Sequence, residues 1–184
     1  MIRLALTITL LVAIATPSFA QGKALAEALT RMHAGVARNV VEAAEKMPEA
    51  EFAFQPTKDV RTFGGFVGHV ANSAYGYCAR AKGEANPNKE DFEKVTAKAA
   101  LVAAIKAATA YCDGVYKAMS DASLSDMVAM GQSQQPRGQI LVQNISHSNE
   151  HYGNLVTYMR IKGLVPPSTE RATAPRPGGD GAPR

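Results

Sequence analysis

The sequence has no tryptophan, only two cysteines among 184 residues, and aromatic side chains at 7% of positions. Two cysteines are too few to build a disulfide scaffold, so stability must come from an ordinary core. A chain of this length with 46% apolar residues is able to bury one as a single domain. Runs of one charge are also missing. The 20 Lys and Arg are spread among 16 Asp and Glu, for a net charge of +4. Without a basic stripe, nucleic acid is excluded as a partner. No stretch reaches 18 consecutive apolar residues, which excludes a permanent membrane span. Strand-type alternation is nearly absent as well, so a sheet-based fold is not expected.

Residues 1–20 read as a cleavable leader. Arg3 supplies the positive end, Leu4 to Ala15 are almost wholly apolar, and Ser18-Phe19-Ala20 places small residues at the −3 and −1 positions of a cleavage site. The expected mature protein starts near Gln21, has lost the charge of Arg3, and is exported, periplasmic or secreted. Cys78 and Cys112 then lie in an oxidising compartment, where an even pair is a disulfide candidate. The alternative is two buried thiols acting as small apolar residues.

Alanine-rich segments with apolar residues at three- and four-residue spacing, separated by Pro and Gly, predict four helices. The first spans about 23–47, with Leu25, Leu29, Met32, Val36, Val40 and Ala43 as its stripe, closed by Pro48. The second starts on Thr62 as N-cap and ends near 81–83. The third covers about 89–119, with Leu101, Ile105, Ala108, Cys112, Val115 and Met119 at 4-3-4-3-4 spacing. Residues 120–135 read as a looser stretch. The fourth helix starts near Pro136 and ends at Lys162-Gly163. From residue 168 to 184 the chain is rich in Pro, Gly, Ala and Arg and is expected to be disordered. The class is therefore all-α, a four-helix bundle over 21–167. Connections of about 15 residues leave both an up-down-up-down and a crossover topology open. A disulfide between Cys78 and Cys112 requires the second and third helices to run parallel.

The fourth helix carries two seams. One is mostly apolar: Leu141, Ile145, Ser148, Tyr152, Leu155, Met159. The other, about 90–100° round the helix, is Ile140, Asn144, His147, His151, Asn154, Tyr158. His147 and His151 are four apart, so both rings leave one face one turn from each other, a spacing at which two imidazoles share one metal ion. On an exposed face the same pair would be two solvated histidines. The second helix adds His69, flanked by Gly65, Gly68, Asn72, Ser73 and Gly76. Glycine inside a helix costs up to about 1 kcal/mol relative to alanine, so this cluster calls for a reason: close approach of a facing helix, or room for a ligand beside His69. Three histidines on two helices make a three-nitrogen metal site with an open position. His33, at the edge of the first stripe, reads as a packed or half-exposed residue and not a ligand.

The stretch from Phe54-Gln55-Pro56 through Thr62-Phe63-Gly64-Gly65-Phe66-Val67-Gly68-His69-Val70-Ala71 resembles the DinB/YfiT-like superfamily. So do His147-Ser148-Asn149-Glu150-His151-Tyr152-Gly153-Asn154 and Tyr158-Met159-Arg160-Ile161-Lys162-Gly163-Leu164-Val165-Pro166-Pro167. The similarity covers about 23–167. It implies a four-helix bundle whose divalent metal is held by one histidine of the second helix and an H-x3-H pair of the last, here His69, His147 and His151. It also implies that a homodimer is possible, and it points toward thiol-dependent transfer or isomerisation, the chemistry of characterised relatives. Many members follow the last histidine with Arg-Gly-Gln. Here the run is Tyr152-Gly153-Asn154, so no role of that arginine carries over.

Three readings follow. In the first, the protein is a metal-dependent enzyme, a hydrolase or thiol-dependent transferase acting on a small molecule. Zinc or nickel is the expected ion by imidazole preference, Ser73, Asn144, Asn154 and Tyr158 line the pocket, and Glu150 is the candidate base. In the second, the bundle binds a metal or other ligand without catalysis. In the third, the histidines bind nothing. His147-Ser148-Asn149-Glu150-His151 also fits the H-x-x-E-H pattern of inverted zinc peptidases, but the acidic residues downstream are only Glu170 and Asp180, in the tail.

Overall fold

The computed structural model describes residues 22–175. The leader assigned to residues 1–20 and the tail beyond residue 175 lie outside the described residues. Four long helices form the bundle: α1 (Ala24–Lys46), α2 (Phe63–Lys82), α3 (Lys98–Lys117) and α4 (Arg137–Ile161). A fifth, short helix, α5 (Pro167–Thr173), follows. Among the described residues no helix is long and apolar enough to cross a membrane.

Local chemistry sets the helix ends. Thr62 caps α2, its Oγ1 accepting the Gly65 N–H at 2.9 Å. Gly83, at φ +80°, closes the same helix in the left-handed conformation that glycine adopts without a Cβ penalty. Helix α3 starts nine residues later than the periodicity predicts. Asp91 accepts the Glu93 N–H at 3.2 Å, and the Phe92 N–H goes to Asn72 Oδ1 at 3.2 Å. These bonds satisfy the backbone in a 3-10 turn, Phe92–Lys94, and the chain then stays extended at Val95 and Ala97 before α3 begins.

Two further expectations are corrected. Residues 120–135 are not simply loose: Met127–Met130 (β1) and Ser133–Pro136 (β2) pair antiparallel, Met130 opposite Ser133. Gly131 at φ +63° supplies the positive φ that a two-residue hairpin turn needs. The chain is also ordered past residue 168. Helix α5 packs on α1, with Arg171 paired to Glu42 and Glu170 to Lys46. The Tyr152 hydroxyl donates to Ser168 Oγ at 2.8 Å.

The helix directions follow from end-to-end contacts. The starts of α2 and α3 meet where Gly64 faces Leu101, and their ends are joined by a disulfide between Cys78 and Cys112, with Cα atoms 5.4 Å apart. These two helices are therefore parallel. Helix α1 runs against both, since Lys98 Nζ donates to the carbonyls of Glu45 and Met47 at its C-terminus. Helix α4 is antiparallel to α2 and parallel to α1: the Tyr158 hydroxyl reaches the Arg61 carbonyl at 2.8 Å, and Tyr116 donates to the Leu141 carbonyl at 2.7 Å. Of the two open topologies, the structure has the crossover one, and residues 83–97 carry the chain back between α2 and α3.

The core seam of α1 is rotated from the expected one. Buried positions are Ala26, Leu29, His33, Ala37, Val40, Ala43 and Ala44, while Leu25 and Met32 are 56% and 55% exposed. Small alanines let the helices approach closely, so the contact face is not the most hydrophobic one. His33 stacks flat on Tyr116, ring centroids 4.2 Å apart, with Nε2 3.2 Å from Asp113 Oδ1 but off the line of a hydrogen bond. Of the packed and half-exposed alternatives that its position at the stripe edge left open, it takes the packed one.

Candidate metal centre

His69 lies in the second turn of α2, and the antiparallel α4 places His147 and His151 opposite it. The Nε2 atoms of His69 and His147 are 3.1 Å apart, those of His151 and His147 3.2 Å, and one nitrogen from each of the three rings lies within 4.8 Å of the others. A tetrahedral ion with Zn–N bonds of about 2.0–2.1 Å requires neighbouring nitrogens about 3.3 Å apart. Two of the three edges already have that length, so the three imidazoles fit a divalent metal.

The protonation states agree. Burial, and next the charge of His69, pushes His147 below the ordinary imidazole range. Burial, then His147 and His69, pushes His151 down to about 4, against the opposing charge of Glu150. Both rings are therefore neutral at neutral pH, the form in which imidazole is a ligand. His151 is buried and packs on Phe66, and His147 packs beside Tyr77, their ring centroids 5.7 Å apart.

Glu93 and Arg61, the groups behind His69, were not singled out from the sequence. Glu93, in the 3-10 turn, accepts from His69 Nδ1 at 2.7 Å through Oε1, while its Oε2 accepts from Arg61 Nε at 2.9 Å. A carboxylate only accepts, so Nδ1 of His69 carries a proton, and in the neutral ring this leaves the Nε2 lone pair facing the other two rings. Burial alone would raise the Glu93 carboxyl, but the bonds from Arg61 and His69 outweigh it and hold the group below its usual range. The Asn154 amide meets His151, Nδ2 to Nδ1 at 3.2 Å. Turned end for end, the same amide accepts Nδ1–H through Oδ1 and frees Nε2. Nδ1 of His147 is buried without a partner.

Gly68 explains how Glu93 arrives. A Cβ there would sit 2.3 Å from the Phe92 carbonyl oxygen, so only glycine admits the turn against α2 beside His69. The glycine-rich stretch was the signal in the sequence. It marked close approach, but by the crossover segment and not by a facing helix.

The remaining candidates divide. Ser73 is half-buried one turn beyond His69, and Asn154 touches His151. Asn144 is 1% exposed, faces inward, donates to the Tyr116 hydroxyl at 3.1 Å and lies against both disulfide sulfurs at 3.7 and 3.9 Å. It belongs to the core and not to a substrate pocket. Tyr158 is buried too, its hydroxyl held by the Arg61 carbonyl and its ring edge-on to Phe54 and Phe66. The structure thus places these two in the core and not on a pocket wall, which corrects the expectation that they orient substrate: packing uses the Asn144 amide nitrogen and the Tyr158 hydroxyl, and Asn144 Oδ1 is buried without a hydrogen-bond partner. Glu150 is exposed, and its charge reaches His147 and His151. Glu170 pairs with Lys46 on α1, which removes it as the acidic ligand an H-x-x-E-H peptidase needs.

Fold and site together define a crossover helical bundle with a trihistidine cluster between its second and fourth helices. The chain belongs to the DinB superfamily, whose family model matches residues 32–155. A DinB-like protein from Bacillus cereus superposes with a TM-score of 0.65 at 17% identity, covering 77% of this chain and 95% of that one. A DinB-like protein from Bacillus subtilis gives 0.63 at 18% identity, covering 75% and 94%. The mycothiol-dependent maleylpyruvate isomerase gives 0.58 at 18% identity, covering 71% of this chain and 60% of that one. No curated protein matches the sequence.

Proposed function

We propose that this is an exported metal-dependent enzyme that holds zinc or nickel on His69, His147 and His151 and acts on a small molecule as a hydrolase or thiol-dependent transferase. The observation that carries the reading is the convergence of three imidazole nitrogens at metal-ligand spacing. Such an ion supplies Lewis acidity, lowering the pKa of a coordinated water or thiol. The chain's own groups do the rest. Glu93 keeps the lone pair of His69 turned inward, Asn154 holds His151, and Ser73 offers a hydroxyl on the same face of α2 as His69. Glu150, whose charge reaches His147 and His151, is the candidate base. Fold similarity to the mycothiol-dependent isomerase supports the thiol-transfer form. The leader-like residues 1–20 and the buried disulfide support export.

One observation favours a second reading, a metal-binding bundle without a reaction: Asn144 and Tyr158 are consumed by the core, leaving fewer groups to orient a substrate. Metal content per chain separates the binding reading from an empty site. Protein exported to the periplasm and purified without chelator or histidine tag is expected to carry about one equivalent of zinc or nickel by mass spectrometry, and His151→Ala to carry none. Metal-free wild-type protein with unchanged folding would overturn the proposal. With metal bound, turnover of ester, amide or thiol-acceptor substrates distinguishes the enzyme from the binding module.

A further inference from the structure

We propose that Glu93, anchored by Arg61, is a positioning residue of the metal centre: it fixes His69 in the tautomer that binds the ion and locks the ring's direction. The proposal rests on the metal-binding reading of the three histidines. Its basis is a chain of contacts that the crossover segment makes with α2. Gly68 leaves room for the Phe92 carbonyl where any side chain would collide. Asn72 and Asp91 then pin the turn, Asn72 Nδ2 donating to Asp91 Oδ1 at 3.0 Å and Asn72 Oδ1 accepting the Phe92 N–H. The turn so held points Glu93 at His69. Its second oxygen is taken by Arg61, whose guanidinium carbon lies 5.9 Å over the Phe66 ring. Phe66 in turn packs on His151. One carboxylate therefore connects the ligand of α2 to the side chains behind a ligand of α4.

The physical role follows from which nitrogens are free. A neutral imidazole carries its proton on either nitrogen, and the Nε2–H form of His69 would aim a hydrogen at the other two ligands. A carboxylate 2.7 Å from Nδ1 removes that form and restricts ring rotation. Arg61 keeps the carboxylate from swinging into solvent, where its side chain is already 34% exposed.

The test uses the full mature protein with zinc or cobalt(II) as the probe. Glu93→Ala is expected to weaken zinc binding by about 10–100-fold in competition with a chromophoric chelator, and to alter the visible spectrum of the cobalt form. The metal-free protein should stay folded, losing only the small stability of the bonds from Glu93 to Arg61 and His69. Glu93→Gln, which still accepts a hydrogen bond but has no charge, should fall between wild type and alanine, and serves if the alanine variant folds poorly. Nitrogen-15 NMR of the metal-free wild type should show His69 protonated at Nδ1, and the alanine variant should lose that preference. Unchanged zinc affinity in both variants, or an Nε2-protonated His69 in wild type, would overturn the role of Glu93. Wild-type protein that binds neither metal would instead overturn the metal-centre reading, and the NMR result would then decide only how Glu93 orients the ring.

Discussion

Replacing Gly68 by alanine tests how the centre is assembled. The new Cβ would lie 2.3 Å from the Phe92 oxygen, 2.6 Å from its carbonyl carbon and 2.9 Å from the Glu93 nitrogen, all backbone atoms. Ordinary contact begins near 3.4 Å, so the turn must retreat by about 1 Å or α2 must bend. Overpacking of this kind costs about 1–3 kcal/mol, partly offset by the roughly 1 kcal/mol that alanine gains over glycine inside a helix. Gly76→Ala supplies the reference. Nothing lies within 4 Å of a Cβ at that position of the same helix, so only the helix gain remains, about 0.5–1 kcal/mol of stabilisation. The two variants share the propensity change, and their difference isolates the collision at about 1–3 kcal/mol. In urea this separates their midpoints by on the order of 1 M at equal slopes. The Gly68 variant should also lose zinc affinity, because the same retreat draws Glu93 away from His69, whereas the Gly76 variant should keep it. If both variants melt alike and bind zinc alike, the turn does not press on α2 as described.

Reducing the bridge between Cys78 and Cys112, or replacing both residues by alanine, should cost about 4 kcal/mol, the loop-closure value for the 34-residue separation. The check is the urea midpoint with and without reductant, and a loss below about 1 kcal/mol would refute a structural role for the bond. Acid should weaken the metal-free protein. Burial depresses His33 against the pull of Asp113, and it depresses His147 and His151, the last to about 4. Each folded value lies below the unfolded one near 6.5, so between them the unfolded chain binds more protons. Their contribution is complete above about 6.5 and is lost as the pH falls from there through the folded values. The urea midpoint of metal-free protein should therefore be lower at pH 5 than at pH 7.5, and equal midpoints would contradict the burial of these rings.

Most of the bundle was legible because its cues are local. Thr62, Gly83, Pro48 and Pro136 mark helix ends through backbone chemistry that acts within a few residues. The pair His147 and His151 is visible for the same reason, since four-residue spacing fixes a shared face before any tertiary contact forms. What escaped depends on partners distant in sequence. The start of α3 is decided by Asn72, twenty residues upstream, which captures the Phe92 N–H. The seam of α1 is decided by how closely its alanines let α3 and α4 approach, and hydrophobicity alone selected Leu25 and Met32 instead. The hairpin of β1 and β2 is four residues a side with Ser, Gln and Gln in one strand, too short and polar to show alternation. Glu93 falls within the helix expected over 89–119, with nothing in its local pattern to set it apart, and only the space beside Gly68 gives it a purpose. Asn144 and Tyr158 lie on the face of α4 that carries the histidines, yet the same turn of helix also faces the core, and periodicity does not separate the two.

Helix α4 lays Asn144 against both sulfurs of the bridge, and Cys78 and Cys112 are 0% exposed. A thiolate has to reach a sulfur in line with the bond to exchange with it, so reductant gains access only when α4 lifts away. Both cysteines precede α4 in the chain, and the bond can close before the last helix docks. Docking then turns a reversible bond into a persistent one, whose lifetime becomes that of the fourth helix on the bundle. The same event brings His147 and His151 to His69, so a chain that holds its three histidines together also has its bridge out of reach.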